Sequence, residues 1–252
     1  MTHKLLKDYD RFKDKRIVTK RFSHTELMDM LTIYGSSKDF KIKKLGESIE
    51  GRSINMFSWG HGSVSILMWS QMHGNESTAT RAILDLLKFL ESEESDNKAT
   101  REQLKKNLSI HIIPMLNPDG SELFKRRNAL DIDMNRDAVA LASPESRILK
   151  EAIDNLKPDF GFNLHDQRIY YNVEGTSKPA TISFLAPAYN SQKEVKFGMA
   201  TQFMAGICHK CRICPFADRK PHSAFGRIMR WHRTWCPAWA AHTRVYGRKP
   251  LS

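Results

Sequence analysis

The sequence predicts an α/β domain built on a mixed, largely buried β-sheet with flanking helices. Three observations carry this. Apolar runs of strand length stand at residues 64–69, 108–116 and 160–164, each bounded by polar or turn-forming residues. Segments with helical spacing lie between them, and strands alternating with helices pack as layers on a sheet. At 252 residues, 40 % of them hydrophobic, the chain is long enough for one large domain with a proper core.

Residues up to about 21 are charged and read as a loosely held lead-in. Ser23 is a good N-cap with Glu26 at capping-box spacing, and Leu27, Met30 and Leu31 then form the apolar face of a short helix ending near Gly35. Residues 40–45 alternate apolar and basic, residues 46–51 supply turn formers, and 54–59 resume the alternation, which predicts a β-hairpin. After the strand at 64–69, a helix over 78–90 places Ala79, Ile83, Leu86, Leu87 and Leu90 on one stripe. Residues 91–97 are acidic and polar and read as a solvated helix end or loop. The strand at 108–116 is stopped by Asn117-Pro118-Asp119-Gly120, a strong turn signal. Ser143-Pro144-Glu145 opens a helix with proline just inside its start, running to about Leu156 before Pro158. Residues 160–164 and 181–185 are further strands, and there are no internal repeats or low-complexity tracts.

The net charge is +12, but it is unevenly placed. Residues 207–252 hold ten Lys and Arg against one acid, Asp218, so this segment carries +9 and the preceding 206 residues only +3. All four cysteines (Cys208, Cys211, Cys214, Cys236) and Trp231, Trp235 and Trp239 lie there too. No apolar run approaches the roughly 18 residues of a membrane span, and Met1-Thr2-His3-Lys4 lacks a hydrophobic signal core. Cytoplasmic residence without membrane attachment is the expectation.

Gln71-Met72-His73-Gly74-Asn75-Glu76 sits at the corner between a strand and a helix, where a histidine and a carboxylate three residues apart can close on one metal ion. Catalytic zinc takes three protein ligands and leaves a fourth position open. His165, in Asn163-Leu164-His165-Asp166, offers the third, and the 88 residues between Glu76 and His165 suit a short-spacer pair completed from a distance. Taken singly, His165 also fits a satisfied core histidine, and His73 with Glu76 a capping arrangement. Residues 125–137 mix arginines with Asp133 and Asn135; a solvated loop is one reading, and arginines placed to grip a carboxylate or steady an oxyanion the other.

Five ordered motifs then coincide: Gly46-Glu47-Ser48-Ile49-Glu50-Gly51-Arg52-Ser53-Ile54, His73-Gly74-Asn75-Glu76, Asn117-Pro118-Asp119-Gly120, Asp133-Met134-Asn135-Arg136 and Asn163-Leu164-His165. In order and approximate spacing they resemble the zinc metallocarboxypeptidases of the carboxypeptidase A type, over about residues 40–190. The resemblance implies one Zn2+ ion on His73, Glu76 and His165. It implies that Asn135 and Arg136 bind the C-terminal carboxylate of a peptide substrate. Arg126 matches the arginine that stabilises the oxyanion, with Arg127, a substrate-contacting neighbour, as the alternative. Asp133 matches the carboxylate that orients a metal-bound histidine. The implied chemistry is hydrolysis of a peptide's C-terminal amide bond, zinc polarising the carbonyl and a glutamate moving the proton.

That glutamate belongs, by the same resemblance, to a later strand in a Glu-(Ser or Thr)-Gly-Gly context, whereas the last glutamate here is Glu194. The usual substrate-contacting tyrosine has only Tyr246 as a candidate, in no matching context, and residues 208–252 show no periodicity of either kind. The expected organisation is an N-terminal lead-in and helix (1–38), an incomplete carboxypeptidase-like catalytic domain (39–206) lacking late strands, and a basic Cys/Trp-rich tail (207–252) read as out-of-frame translation. An inactive homologue acting as a zinc-binding module is a rival reading. Nucleic-acid binding through Cys208-His209-Lys210-Cys211-Arg212-Ile213-Cys214 and the tail tryptophans is another; it predicts salt-dependent affinity that disappears when 207–252 is deleted.

Overall fold

A computed structural model gives the structure of residues 8–17, 19–166 and 177. The chain divides into two units, Met1–Ala180 and Thr181–Ser252, and all described residues lie in the first. The strand expected at 181–185, the expected lack of late strands, and the tail's cysteine cluster and Tyr246 all lie outside the described residues.

Short helices α1 (Tyr9–Phe12) and α2 (His24–Leu31) precede β1 (Phe40–Glu47), β2 (Ser53–Gly60) and β3 (Val64–Ser70). Then come α3 (Thr78–Glu91), α4 (Lys98–Asn107), β4 (Leu108–Ile113), α5 (Pro118–Glu122), α6 (Pro144–Leu156) and β5 (Phe160–Leu164). The sheet order is β1-β2-β4-β3-β5. β1 and β2 form the expected antiparallel hairpin, and β2 pairs antiparallel with β4. β3 runs parallel to both β4 and β5, with Ile66 opposite Ile110 and Phe160. The sheet is therefore mixed, and the ends of its three parallel strands share one edge.

Alternation along the strands explains why both faces are covered. Phe57, Trp59, Ile110 and Ile112 join a core with Leu27 and Leu31 of α2 and Ile83, Leu84, Leu87 and Leu90 of α3. Ile54, Met56, Leu67 and Ile113 join another with Leu149 and Ala152 of α6 and with Met134. Each fully buried aliphatic side chain contributes on the order of 1.5–3 kcal/mol.

Several local signals act as written. Ser23 Oγ accepts the Glu26 amide at 3.0 Å while Glu26 Oε2 accepts the Ser23 amide at 2.6 Å, closing the capping box. Asn117 Oδ1 accepts the Gly120 amide at 2.8 Å with Pro118 at the first helical position, so the expected turn continues into α5.

Two expectations shift, and one helix is new. The described part of the lead-in is packed down: Phe12 and Ile17 are buried, and Phe12 meets Phe89 edge to face at 5.0 Å. The buried stripe of α3 is Thr80, Ile83, Leu84, Leu87, Phe89 and Leu90, with Ala79 and Leu86 only partly covered. Thr80 displaces Ala79 because its hydroxyl lies between Gln71 Oε1 (2.7 Å) and the Pro114 carbonyl (3.1 Å). Helix α4 had no apolar stripe to announce it; it buries Arg101, whose guanidinium lies 5.7 Å from the Phe89 ring centre. Among the described residues, no helix is long and apolar enough to cross a membrane.

Candidate metal centre

The carboxyl ends of β3, β4 and β5 lead into His73, Asn117 and His165, which suits a site drawn from several strand ends. Leaving β3, the chain turns through Gln71, whose φ of 45° is left-handed and costs a non-glycine residue on the order of 1–3 kcal/mol. Its buried side chain offsets that cost. Gln71 Nε2 donates to the Gly74 carbonyl and to Ser121 Oγ, both at 2.9 Å, and Oε1 accepts from Thr80. The loop carrying His73 is thus tied to α3 and α5. Gln71→Ala should lower unfolding free energy by about 1–3 kcal/mol by leaving these groups unpaired; urea denaturation measures it.

Two glycines allow the loops to touch. A Cβ on Gly74 would stand 2.0 Å from the Gly120 carbonyl carbon and 2.2 Å from the Ser121 nitrogen, both backbone atoms that cannot swing aside. Asn117 Nδ2 bridges the same contact, reaching the carbonyls of Met72 (3.4 Å) and Arg126 (3.3 Å). The first motif docks here as well. Buried Asp119 accepts Ser48 Oγ at 2.7 Å, the Glu50 amide at 3.1 Å and Arg52 Nη1 at 2.7 Å.

The ligand atoms of His73, Glu76 and His165 lie within 4.8 Å of one another. His73 Nδ1 is 3.0 Å from Glu76 Oε1, and His165 Nδ1 is 2.7 Å from Glu76 Oε2. The two imidazole centres are 4.7 Å apart. His73 Nε2 faces Asp133 Oδ1 at 3.1 Å, which assigns its proton to that nitrogen. Nδ1 then turns a lone pair toward Glu76, and although buried it makes no hydrogen bond despite the short distance. An orphaned ring nitrogen beside a carboxylate and a second imidazole is the donor set a metal ion satisfies. Burial alone would raise the Glu76 carboxyl, but the hydrogen bond from His165 and the close approach of the His73 imidazole outweigh it and hold the group well below the usual carboxylate range. Asp133 is also lowered, burial again being outweighed by His73 and Arg126.

The structure separates the two candidate arginines. Arg126 Nε donates to Asp133 Oδ2 at 3.1 Å and Nη1 to Glu76 Oε1 at 3.3 Å, so its guanidinium borders the cluster. Arg127 turns away to Asp131, donating to its carbonyl at 2.9 Å. Asn135 and Arg136 are exposed between buried Met134 and Asp137, and Asn135 Oδ1 accepts Asn163 Nδ2 at 3.4 Å, which joins this loop to the end of β5. A concavity of about 680 Å3 lined by Trp69, Ile153, Asp154, Lys157, Pro158 and Gly161 includes none of these residues.

Asp137 was no candidate, yet it anchors the loop. Its carboxylate accepts the amides of Ala142 and Ser143 and the Ser143 hydroxyl, at 2.8–2.9 Å. Burial pushes the carboxyl up, the amide bonds from Ser143 and Ala142 prevail, and it falls from 3.8 to about 2. A carboxyl lowered in the folded state contributes stability that is complete above the unfolded value and lost as pH falls through the folded one. Asp137→Asn should therefore flatten the loss of thermal stability between pH 4 and pH 2, which melts across that range would show.

Comparison with known proteins gives one consistent family. A model described as zinc carboxypeptidase matches residues 28–200. Carboxypeptidase 2 of Trichophyton tonsurans is 31 % identical over 106 residues, covering 41 % of this chain and 19 % of that protein. The catalytic chain of human carboxypeptidase N is 27 % identical over 146 residues, covering 48 % of this chain and 32 % of that one. The chain thus spans about a fifth to a third of the length of these curated relatives. A metallo-carboxypeptidase from Burkholderia cenocepacia shares the fold, with a TM-score of 0.54 and 24 % identity over 58 % of this chain and 41 % of that one.

Proposed function

The chain belongs to the zinc carboxypeptidase family, and from that premise we propose that it holds one zinc ion on His73, Glu76 and His165 and acts on the C-terminal amide bond of peptides. The observation that carries this reading is the buried, unbonded Nδ1 of His73, facing Glu76 and grouped with His165 while Asp133 occupies its other nitrogen. A zinc ion there supplies Lewis acidity to a substrate carbonyl and acidifies a water molecule.

The remaining roles fall to the chain's own side chains. Asp133 holds the His73 ring in the metal-facing tautomer. Arg126, beside the ligands, places a positive charge where an oxyanion develops. Asn135 and Arg136, exposed on a loop pinned at both ends, receive the substrate's terminal carboxylate, a planar group that a guanidinium grips in two places. Proton transfer is the weak step, because no residue beyond Glu194 is a glutamate. We therefore read this 252-residue chain as an impaired hydrolase. Peptide binding without turnover is the second reading, and the same absence favours it.

Incubating the zinc-loaded chain with a peptide and with its C-terminal amide tests the substrate class. Binding or cleavage of the free carboxylate form should exceed that of the amide by at least about tenfold, the worth of one charge-assisted contact. Equal treatment of the two would remove the carboxypeptidase reading.

A further inference from the structure

We propose that Asp166 is a positioning residue that assembles the metal site, by locking the segment that carries His165 onto the helix start that follows Glu76. The proposal rests on the zinc reading above and deepens it.

Helix α3 lacks a cap of its own. Ser77, at the N-cap position, makes no side-chain cap bond, and its hydroxyl donates instead to the Lys20 carbonyl at 2.5 Å. The first amides of a helix need acceptors, and an anionic one is favoured at that end. The acceptor comes from 88 residues away: Asp166 Oδ1 accepts the Thr78 amide and Oδ2 the Thr78 hydroxyl, both at 2.9 Å. The backbone amide of Asp166 also donates to Glu76 Oε2 at 3.3 Å, the oxygen that His165 Nδ1 meets at 2.7 Å.

Two consecutive residues thus make four contacts onto residues 76–78. This matters most for His165. His73 is enclosed, its side chain 2 % exposed, and is held by Asp133 and the Gln71 network. His165 is 30 % exposed and follows β5, a five-residue strand with no fully buried position. Its distance from Glu76 is therefore set largely by the Asp166 clamp. A capping residue with no bearing on the metal would leave zinc affinity unchanged when removed; a clamp between two ligands would not.

The test uses the full chain and zinc alone, with dissociation constants from chelator competition and cobalt(II) absorption as a second readout. Asp166→Ala should weaken zinc about 10–100-fold, as loss of an outer partner of a ligand does, and should shift the cobalt bands, which helix stability alone does not move. Asp166→Asn keeps an acceptor for the Thr78 amide and should stay within about threefold, while Thr78→Val, which removes one of the bonds, should fall between the two. Zinc affinity within twofold of the parent and an unchanged cobalt spectrum in Asp166→Ala would overturn the clamp while leaving the zinc site standing. Equal losses in Asp166→Ala and Asp166→Asn would also overturn it. A parent chain that takes up no zinc would remove the reading of the site itself, and the clamp with it.

Discussion

His73→Ala, Glu76→Gln and His165→Ala each bind zinc at least about a hundredfold more weakly than the parent chain, because each deletes one of three donors, whereas loss of an outer partner costs only about 10–100-fold. Asp133→Ala belongs in that milder class, since it frees the His73 ring without removing a donor. Glu76→Gln is the most informative of the set. The Glu76 carboxyl is held well below its usual range by His165 and His73, so it is ionised throughout the neutral region and presents a charge the amide lacks. Metal uptake competes with protons for its ligands, so affinity should fall as the pH is lowered. Isothermal titration of zinc into each apo chain decides the matter. Parent-like affinity in any of the three would exclude that residue as a ligand.

The second large effect concerns turnover. The zinc-loaded chain should hydrolyse a free-carboxylate peptide about 10²–10⁴-fold more slowly than a carboxypeptidase that keeps the downstream glutamate, the usual worth of general acid and base catalysis. Arg126→Ala should lower any residual rate further without matching the loss of zinc seen in the histidine variants, because Arg126 touches Glu76 and Asp133 but is no metal donor. Full activity in a homogeneous, metal-replete preparation would overturn this, and would place the proton-transfer group elsewhere. Translating the coding DNA in all three frames from about codon 200 offers an independent check: a frame containing Glu, then Ser or Thr, then two glycines would identify residues 207–252 as out of frame.

Gly74→Ala carries a structural prediction of its own. With backbone atoms 2.0 and 2.2 Å from the added carbon, the two loops must separate. Overpacking of this kind costs about 1–3 kcal/mol or more. The loss should appear both in urea denaturation and in zinc affinity, because the displaced loop carries His73.

Much of this was legible in the residues themselves. Ser23 with Glu26, Asn117 with Pro118, and Ser143 with Pro144 marked helix starts because capping acts over three or four residues. The hairpin was visible because its residues alternate with a period of two, and the parallel strands because short apolar runs are bounded by polar or turn-forming residues. The polar helix α4 escaped notice because its one buried residue is an arginine, and α3 rotated because a threonine hydroxyl was needed inside. Neither preference is encoded in an apolar stripe.

The sequence by itself determined which chemical groups were on offer: two histidines and a glutamate in ordered motifs, Asp133 near paired arginines, and no glutamate after Glu194. Only the tertiary structure decided which of them meet. Parallel pairing of β3 with β5, Trp69 opposite Asn163 and Ser70 opposite Leu164, places His165 beside Glu76. The same framework turns Arg126 inward and Arg127 outward, and gives α3 its cap from Asp166. The physical reason is range. Periodicity and capping are settled within one turn of chain, whereas a site assembled across 89 positions depends on sheet register and loop contacts that no local pattern records.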